Sequence, residues 1–304
     1  MRSVHINQIL AVTADLQRWD NLYGGGGMVR NAAARSLQWA AGLLRVDCQA
    51  PLRPELFAAV SRLGLVVGAS AFDSYAHEDA RRAFFFAANC AEEAGDWHLR
   101  AKTYSMLARH AVCTGDPDEG LTQAEKGLVR SDRLTATERA MLHTARARAL
   151  AKMGNVKGTL TAVGAADDAF ADASPDQDPP WMAYYDAAQH AGDTAHALFD
   201  LVILAGQDPG QTRQRLGYAV KGHGDAFMRS RALSRTKLAS LTMAKGDPQQ
   251  AVRIGHDALD EACHLTSKRA AEDLRQLAGF VTILYPGLPA ASHHGTKKTW
   301  ALSP

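Results

Sequence analysis

The sequence predicts an all-α protein, a right-handed solenoid of helical hairpins, and three observations predict it. Alanine, the strongest helix former, supplies 56 of the 304 residues, while β-branched residues are scarce. A glycine followed by Asp or Asn recurs at Gly95-Asp96, Gly115-Asp116, Gly154-Asn155, Gly192-Asp193 and Gly246-Asp247, each time between two apolar periodic runs. Glycine suits the left-handed residue that ends a helix, and the polar residue beside it can cap the next one. The glycines at 115, 154 and 192 are 39 and 38 residues apart, about one helix pair with its turns, and fixed-period helix pairs stack into solenoids.

The elements follow in order. Residues 4–22 and 28–45 read as two amphipathic helices joined by Gly24-Gly25-Gly26-Gly27. That run lacks the lysine of a phosphate loop and follows a helix rather than a strand, so it is expected to be a flexible connector. Residues 54–74 and 78–94 form the next pair, the second carrying the stripe Phe84-Phe85-Phe86. Residues 106–128 turn at Gly115-Asp116-Pro117, and 145–170 turn at Gly154. Residues 173–180 are a loop, because Pro179 and Pro180 exclude helix before Trp181. A helix is expected to open after Pro180, with breaks at 207–212 and a mobile turn at Lys221-Gly222-His223-Gly224. The clearest hairpin runs from Leu238 to Leu259 around Gly246-Asp247-Pro248, with small residues Ala251, Gly255 and Ala258 where its helices meet. The repeat array is assigned to residues 1–291, with 173–180 the place for a subdivision, and 292–304 to a disordered tail.

The Leu238–Leu259 unit resembles a degenerate tetratricopeptide repeat, lacking most of the consensus tryptophan and tyrosine. A wider resemblance covers most of the chain. Its carriers are Arg18-Trp19-Asp20 through Tyr23-Gly24-Gly25-Gly26, Leu37-Gln38-Trp39-Ala40 with Leu43-Leu44, and Ala136-Thr137-Glu138-Arg139-Ala140-Met141-Leu142-His143 running into Ala147-Arg148-Ala149-Leu150-Ala151-Lys152-Met153-Gly154. Pro179-Pro180-Trp181-Met182-Ala183-Tyr184-Tyr185-Asp186 and Arg229-Ser230-Arg231-Ala232-Leu233 belong to the same set. Together they look like the C-terminal tetratricopeptide-like region of actinobacterial Xre-type transcriptional regulators, of the kind common in Streptomyces. Such regulators usually carry a helix–turn–helix domain ahead of the repeats. Here the repeats begin within a few residues of Met1, so DNA binding is not carried over to this chain.

Charge and composition narrow the function classes. With 34 basic and 32 acidic residues the net charge is +2, which gives no mandate for nucleic acid or an anionic membrane. Cys48, Cys90, Cys113 and Cys263 form no CxxC pair and read as small core residues of a reducing compartment. The N-terminus lacks a signal-peptide pattern, and no apolar stretch is expected to reach the ~18 residues of a membrane span. These features predict a cytoplasmic location. The histidines show no HExxH or paired-ligand spacing, His293-His294 falls in the tail, and no nucleophile-elbow pattern is present. No metal, cofactor or catalytic residue is assigned.

Six residues are candidates for ligand or partner binding. Trp181, Tyr184 and Tyr185 are spaced to share one face of the helix expected after Pro180, and such aromatic faces serve packing or capture. His143, Arg146 and Arg139 are placed on the preceding unit's inner helix, and Arg139, Arg146 and Arg148 are read as a solvated face. On an inward side their guanidinium forks would meet a carboxylate or an acidic peptide. Arg229, with Arg231 near His223, forms a second basic cluster. The expected function is a non-enzymatic regulatory sensor or interaction protein holding a peptide, a small effector or a partner protein on the concave side. The resemblance implies transcriptional control of development or secondary metabolism. The alternatives are a fragment of a DNA-binding regulator, or a biosynthetic-cluster enzyme on a helical-repeat scaffold. No membrane partner is expected, and the Ala-rich terminal helices leave pairing between two copies open.

Overall fold

The computed structural model describes residues 2–284, and its regular structure is helical throughout, with thirteen α-helices and no strand among the described residues. Six consecutive pairs are α1 (Ser3–Tyr23) and α2 (Gly27–Leu43), α3 (Leu52–Asp73) and α4 (His77–Ala94), α5 (Trp97–Cys113) and α6 (Pro117–Leu128), α7 (Ala136–Lys152) and α8 (Val156–Ala171), α9 (Ala187–Ala205) and α10 (Gly210–Gly222), and α11 (Met228–Lys245) and α12 (Pro248–Ala262). A thirteenth helix, α13 (Lys268–Leu284), comes last. The expected tail at 292–304, with His293-His294, lies outside the described residues.

Caps fix the start of many helices. Asp96, Asp116, Thr135, Asn155, Asp186 and Asp247 each accept a hydrogen bond from a backbone N–H in the first turn of the next helix, each contributing about 1 kcal/mol. The turns at Gly95, Gly115 and Gly154 are left-handed as the sequence predicts. Gly192-Asp193 is not a turn. It lies inside α9, where an added Cβ would stand 3.1 Å from Ser234 Oγ and 3.3 Å from Ala219 Cβ. Gly192 therefore lets α10 and α11 approach α9 closely, and the 38-residue step ending there is not a repeat period. The expected helix at Trp181 is also corrected. Residues Pro180–Met182 make a single 3-10 turn, and the helix begins only at Ala187, capped by Asp186.

The odd-numbered helices pack side by side, α1 on α3, then α5, α7, α9 and α11 in turn, and α11 returns to α1. The even-numbered helices pack against this inner set from outside. The arrangement is a closed ring rather than an array with free ends. Inner position explains α3: its length and apolar composition would suit a membrane crossing, contrary to the sequence expectation, yet most of its apolar window is buried within the protein. A helix apolar around its whole circumference is a core helix.

The ring closes at the glycine run. Gly26 N–H donates to Thr266 O at 3.1 Å and Thr266 N–H to Tyr23 O at 2.7 Å. Gly25 N–H donates to Asp73 Oδ2 at 2.9 Å, and its carbonyl accepts from the hydroxyls of Ser70 and Ser74. A Cβ at Gly25 would lie 2.7 Å from both Ser70 Cα and Ser70 O. The segment is a pinned clasp, not a flexible connector; glycine is required because backbone packs on backbone.

Other expectations change in the same way. His223, assigned to a mobile turn, is buried at 4% exposure, and its carbonyl accepts from Arg231. Of the four cysteines only Cys90 is buried; Cys48 is half-buried, and Cys113 and Cys263 are exposed. Helix α13 has no counterpart in the sequence reading, although Ala270, Leu274 and Leu277 form one buried stripe along it, and the two leucines pack against the α11–α12 hairpin.

Candidate functional site

The inner helices line a central space, partly open to solvent, in two adjoining compartments. The first, about 150 Å³, is bounded by α1, α3, α5, α9, α11, α13 and the 181–184 turn. The second, about 340 Å³, is bounded by α3, α5, α7, α9, α11 and α13. Phe72, Arg109, Gln189, Ser230 and Arg269 line both and form the waist between them. No residue of an even-numbered helix lines either compartment.

Most ionisable groups here are basic. Arg62, Lys102, Arg109, Arg148, Lys152, Arg229, Lys237 and Arg269 face the space, against Asp20, Asp193, Asp200 and Asp273. Several cations are neutralised. Arg229 reaches Asp20 at 2.7 Å and Asp73 at 3.4 Å, Arg109 reaches Asp193 at 3.0 Å, and Lys152 reaches Asp200 at 2.8 Å. Burial opposes charge on Arg229, but the two carboxylates outweigh it and hold the guanidinium firmly protonated. Burial likewise opposes ionisation of Asp193, yet Arg109 and Arg148 bring its carboxyl down to about 2. His196 is kept neutral, first by burial and then by Arg148 and Lys237.

Asp73 ties this space to the ring closure. Its carboxylate accepts from Gly25 N–H and from Ser267 Oγ at 2.8 Å, with Arg229 and, at 3.7 Å, Arg269 beside it. Burial pushes its pKa up, but the two arginines, Gly25 and Ser267 together hold it below the usual value.

The candidate residues divide. Trp181, Tyr184 and Arg229 line the first compartment. Tyr185 does not: at 3% exposure its hydroxyl bonds Thr144 at 3.0 Å and meets His190 Nδ1 at 3.4 Å, while its ring packs edge-on to Phe170. His190 stacks on Phe170 and reaches Asp167, which Arg215 also holds, so Tyr185 begins a polar chain that fastens α7 to α8, α9 and α10. His143 and Arg146 also lie away from the central space; Arg146 pairs with Glu125 of α6 at 2.8 Å. Arg148, read as part of a solvated face, is the α7 arginine that faces inward. Arg229 belongs to a buried ion-pair set rather than a surface cluster.

Sequence reasoning missed Arg62, Lys102, Arg109, Lys237 and Arg269. For the first four the signal was available: each is a basic residue within a helix that buries side chains on several faces, as do Ser61 and Leu63 beside Arg62, and Ala101 and Thr103 beside Lys102. A charge in such a helix marks a polar interior, not solvent. Arg269 instead lies in α13, which buries one stripe. Among the described residues, no group of three or more His, Cys, Asp or Glu is placed to hold a metal. No protein-family model matches the chain, and neither a curated protein nor a solved structure matches it.

Proposed function

We propose that this chain is a non-enzymatic regulatory protein that senses a small effector held at the centre of its helical ring. The observation that carries the reading is the central space itself. Its two compartments, about 150 and 340 Å³, suit a small molecule rather than a folded partner. Arginine, lysine and aromatic side chains around it recognise charge and apolar surface. Of the three occupants the sequence allowed, the size of these compartments favours the small effector over a peptide or partner protein on a concave face.

The hairpins α5–α6, α7–α8 and α11–α12 support a right-handed repeat of the tetratricopeptide kind, modified by closure of the ends. On that reading the chain is related to the C-terminal region of Xre-type regulators and acts in the cytoplasm. It would influence transcription through a partner, without direct DNA contact by this chain alone.

Native mass spectrometry of the protein purified from its own cells tests the proposal. The expected spectrum shows the chain with one small molecule, released on denaturation. A bare chain with a stoichiometric protein partner would contradict it, as would a footprint by the chain alone on a defined DNA sequence at ~200 mM salt, where non-specific binding weakens.

A further inference from the structure

Charge around the first compartment is unbalanced in one place. Arg109, Arg229 and Arg269 have carboxylates beside them, but Arg62 and Lys102 make no ion pair among the described residues. Each instead faces an aromatic ring of the 181–184 turn. Arg62 Cζ is 5.0 Å from the centroid of Trp181, and Lys102 Nζ is 3.6 Å from that of Tyr184. The indole N–H of Trp181 is buried with no acceptor. Three donors without an anion therefore lie along the wall made by α3, α5 and this turn. Arg62 and Lys102 are half-buried; leaving such cations unpaired is costly, and the ring faces offset only part of that cost. Leu65, Val66, Met106 and Phe227 supply apolar surface in the same compartment.

We infer that the effector is a small organic acid, its carboxylate received by Arg62, Lys102 and the indole N–H of Trp181, its apolar body against Leu65, Val66 and Met106. This rests on the central space being the sensing site, and it names the ligand class. The compartment, about 150 Å³, matches the cavities that accept a single aromatic ring; a larger body extends past the waist.

Binding also carries a proton. Burial first, and then Arg109 on its own helix, lower Lys102 to about 7 against the opposing pull of Asp193 of α9 and Glu138 of α7. Tyr184 covers the ammonium from the turn. Arg62 of α3, Asp20 of α1, Arg229 of α11 and Arg269 of α13 complete the ionisable lining. Above neutral pH the amine is mostly uncharged, so an arriving carboxylate draws a proton from solvent onto Nζ.

The test uses the full chain with 2-naphthoate as probe and 2-acetylnaphthalene as its uncharged isostere, both by titration calorimetry. Naphthoate is expected to bind once per chain and at least tenfold more tightly than the ketone. Lys102→Met and Arg62→Met should each weaken naphthoate at least tenfold and change ketone binding less than twofold. Trp181→Phe should weaken naphthoate several-fold, Lys102→Arg should retain binding, and Arg146→Met, outside the central space, should match the wild type. At pH 8, heats in Tris and phosphate buffers should show proton uptake by the wild type and none by Lys102→Met. Melting curves separate these effects from misfolding, since Lys102→Met removes a half-buried, unpaired charge and should melt no earlier than the wild type. Equal affinity for acid and ketone, or wild-type naphthoate binding by both methionine variants, would overturn the inference. If that happens while the purified protein retains a neutral or cationic molecule, the ligand class fails and the sensing reading stands.

Discussion

Ser267 donates its hydroxyl hydrogen bond to Asp73 at 2.8 Å, joining residues 194 positions apart and fastening the loop before α13 to the end of α3. The same Ser267 oxygen accepts from Ala270 N–H and caps α13. Asp73 also receives Gly25 N–H and stands beside Arg229 and Arg269, so one carboxylate holds both the α1–α2 turn and the loop before α13 to the end of α3.

Removing that carboxylate should open the ring. Asp73→Ala leaves Arg269 without its carboxylate and Arg229 with Asp20 alone, and is expected to cost about 3–5 kcal/mol. Ser267→Ala, which loses a cap and one hydrogen bond, should cost about 1–2 kcal/mol. Urea unfolding of both variants measures this. A loss below about 1 kcal/mol in Asp73→Ala would show that closure does not depend on it.

Gly25→Ala should destabilise through overpacking, by about 1–3 kcal/mol, because the new methyl group would press on the backbone of Ser70. Gly27→Ala carries a left-handed φ of 60° but meets nothing within 4 Å. Its cost, about 1–2 kcal/mol, is conformational alone. Thermal melts of the pair separate the two causes.

Tyr184 and Tyr185 are adjacent in sequence and opposite in role. Tyr185→Ala should cost about 3–5 kcal/mol, as for a core ring, with no direct effect on ligand contacts. Trp181→Ala should mainly weaken binding, and Arg146→Ala, which breaks a surface ion pair, should change stability by about 0–1 kcal/mol. Melting and naphthoate titration of the same variants check the division.

Stability should fall on mild acidification. His110, His143, His196 and His223 all lie below the usual 6.5, each chiefly through burial. The unfolded chain binds protons near 6.5 while the folded chain resists them. Their contribution is complete above 6.5 and is lost as pH falls toward the folded values. Lys102, at about 7 in the fold against 10.5 in the open chain, has the same sign at higher pH, so its contribution grows between those values. The melting temperature should therefore fall from pH 6.5 to 5; a flat profile would contradict the burial of these histidines.

Helices were legible in the sequence because their signals are local. Gly95, Gly115 and Gly154 take left-handed turns, and Asp96, Asp116 and Asn155 cap α5, α6 and α8. Gly192 carries the same dipeptide but is small for a reason that lies 27 and 42 residues away, at Ala219 and Ser234. Trp181 comes after two prolines, and nothing local distinguishes a full helix from the single turn Pro180–Met182. The central space is legible only after closure is known, because Asp20, Asp73 and Arg229 come from distant helices. Periodicity places Arg146 and Arg148 on one helix, but only the fold directs Arg148 inward and Arg146 toward Glu125.

A crystal structure of the protein purified from its own cells decides most directly whether the ring holds an acid. Electron density for one small acid is expected inside the ring, beside Arg62, Lys102 and Trp181, with the Ser267–Asp73 clasp closed. A ring interior holding only water, with a ligand or partner bound instead on the outer helices, would contradict it.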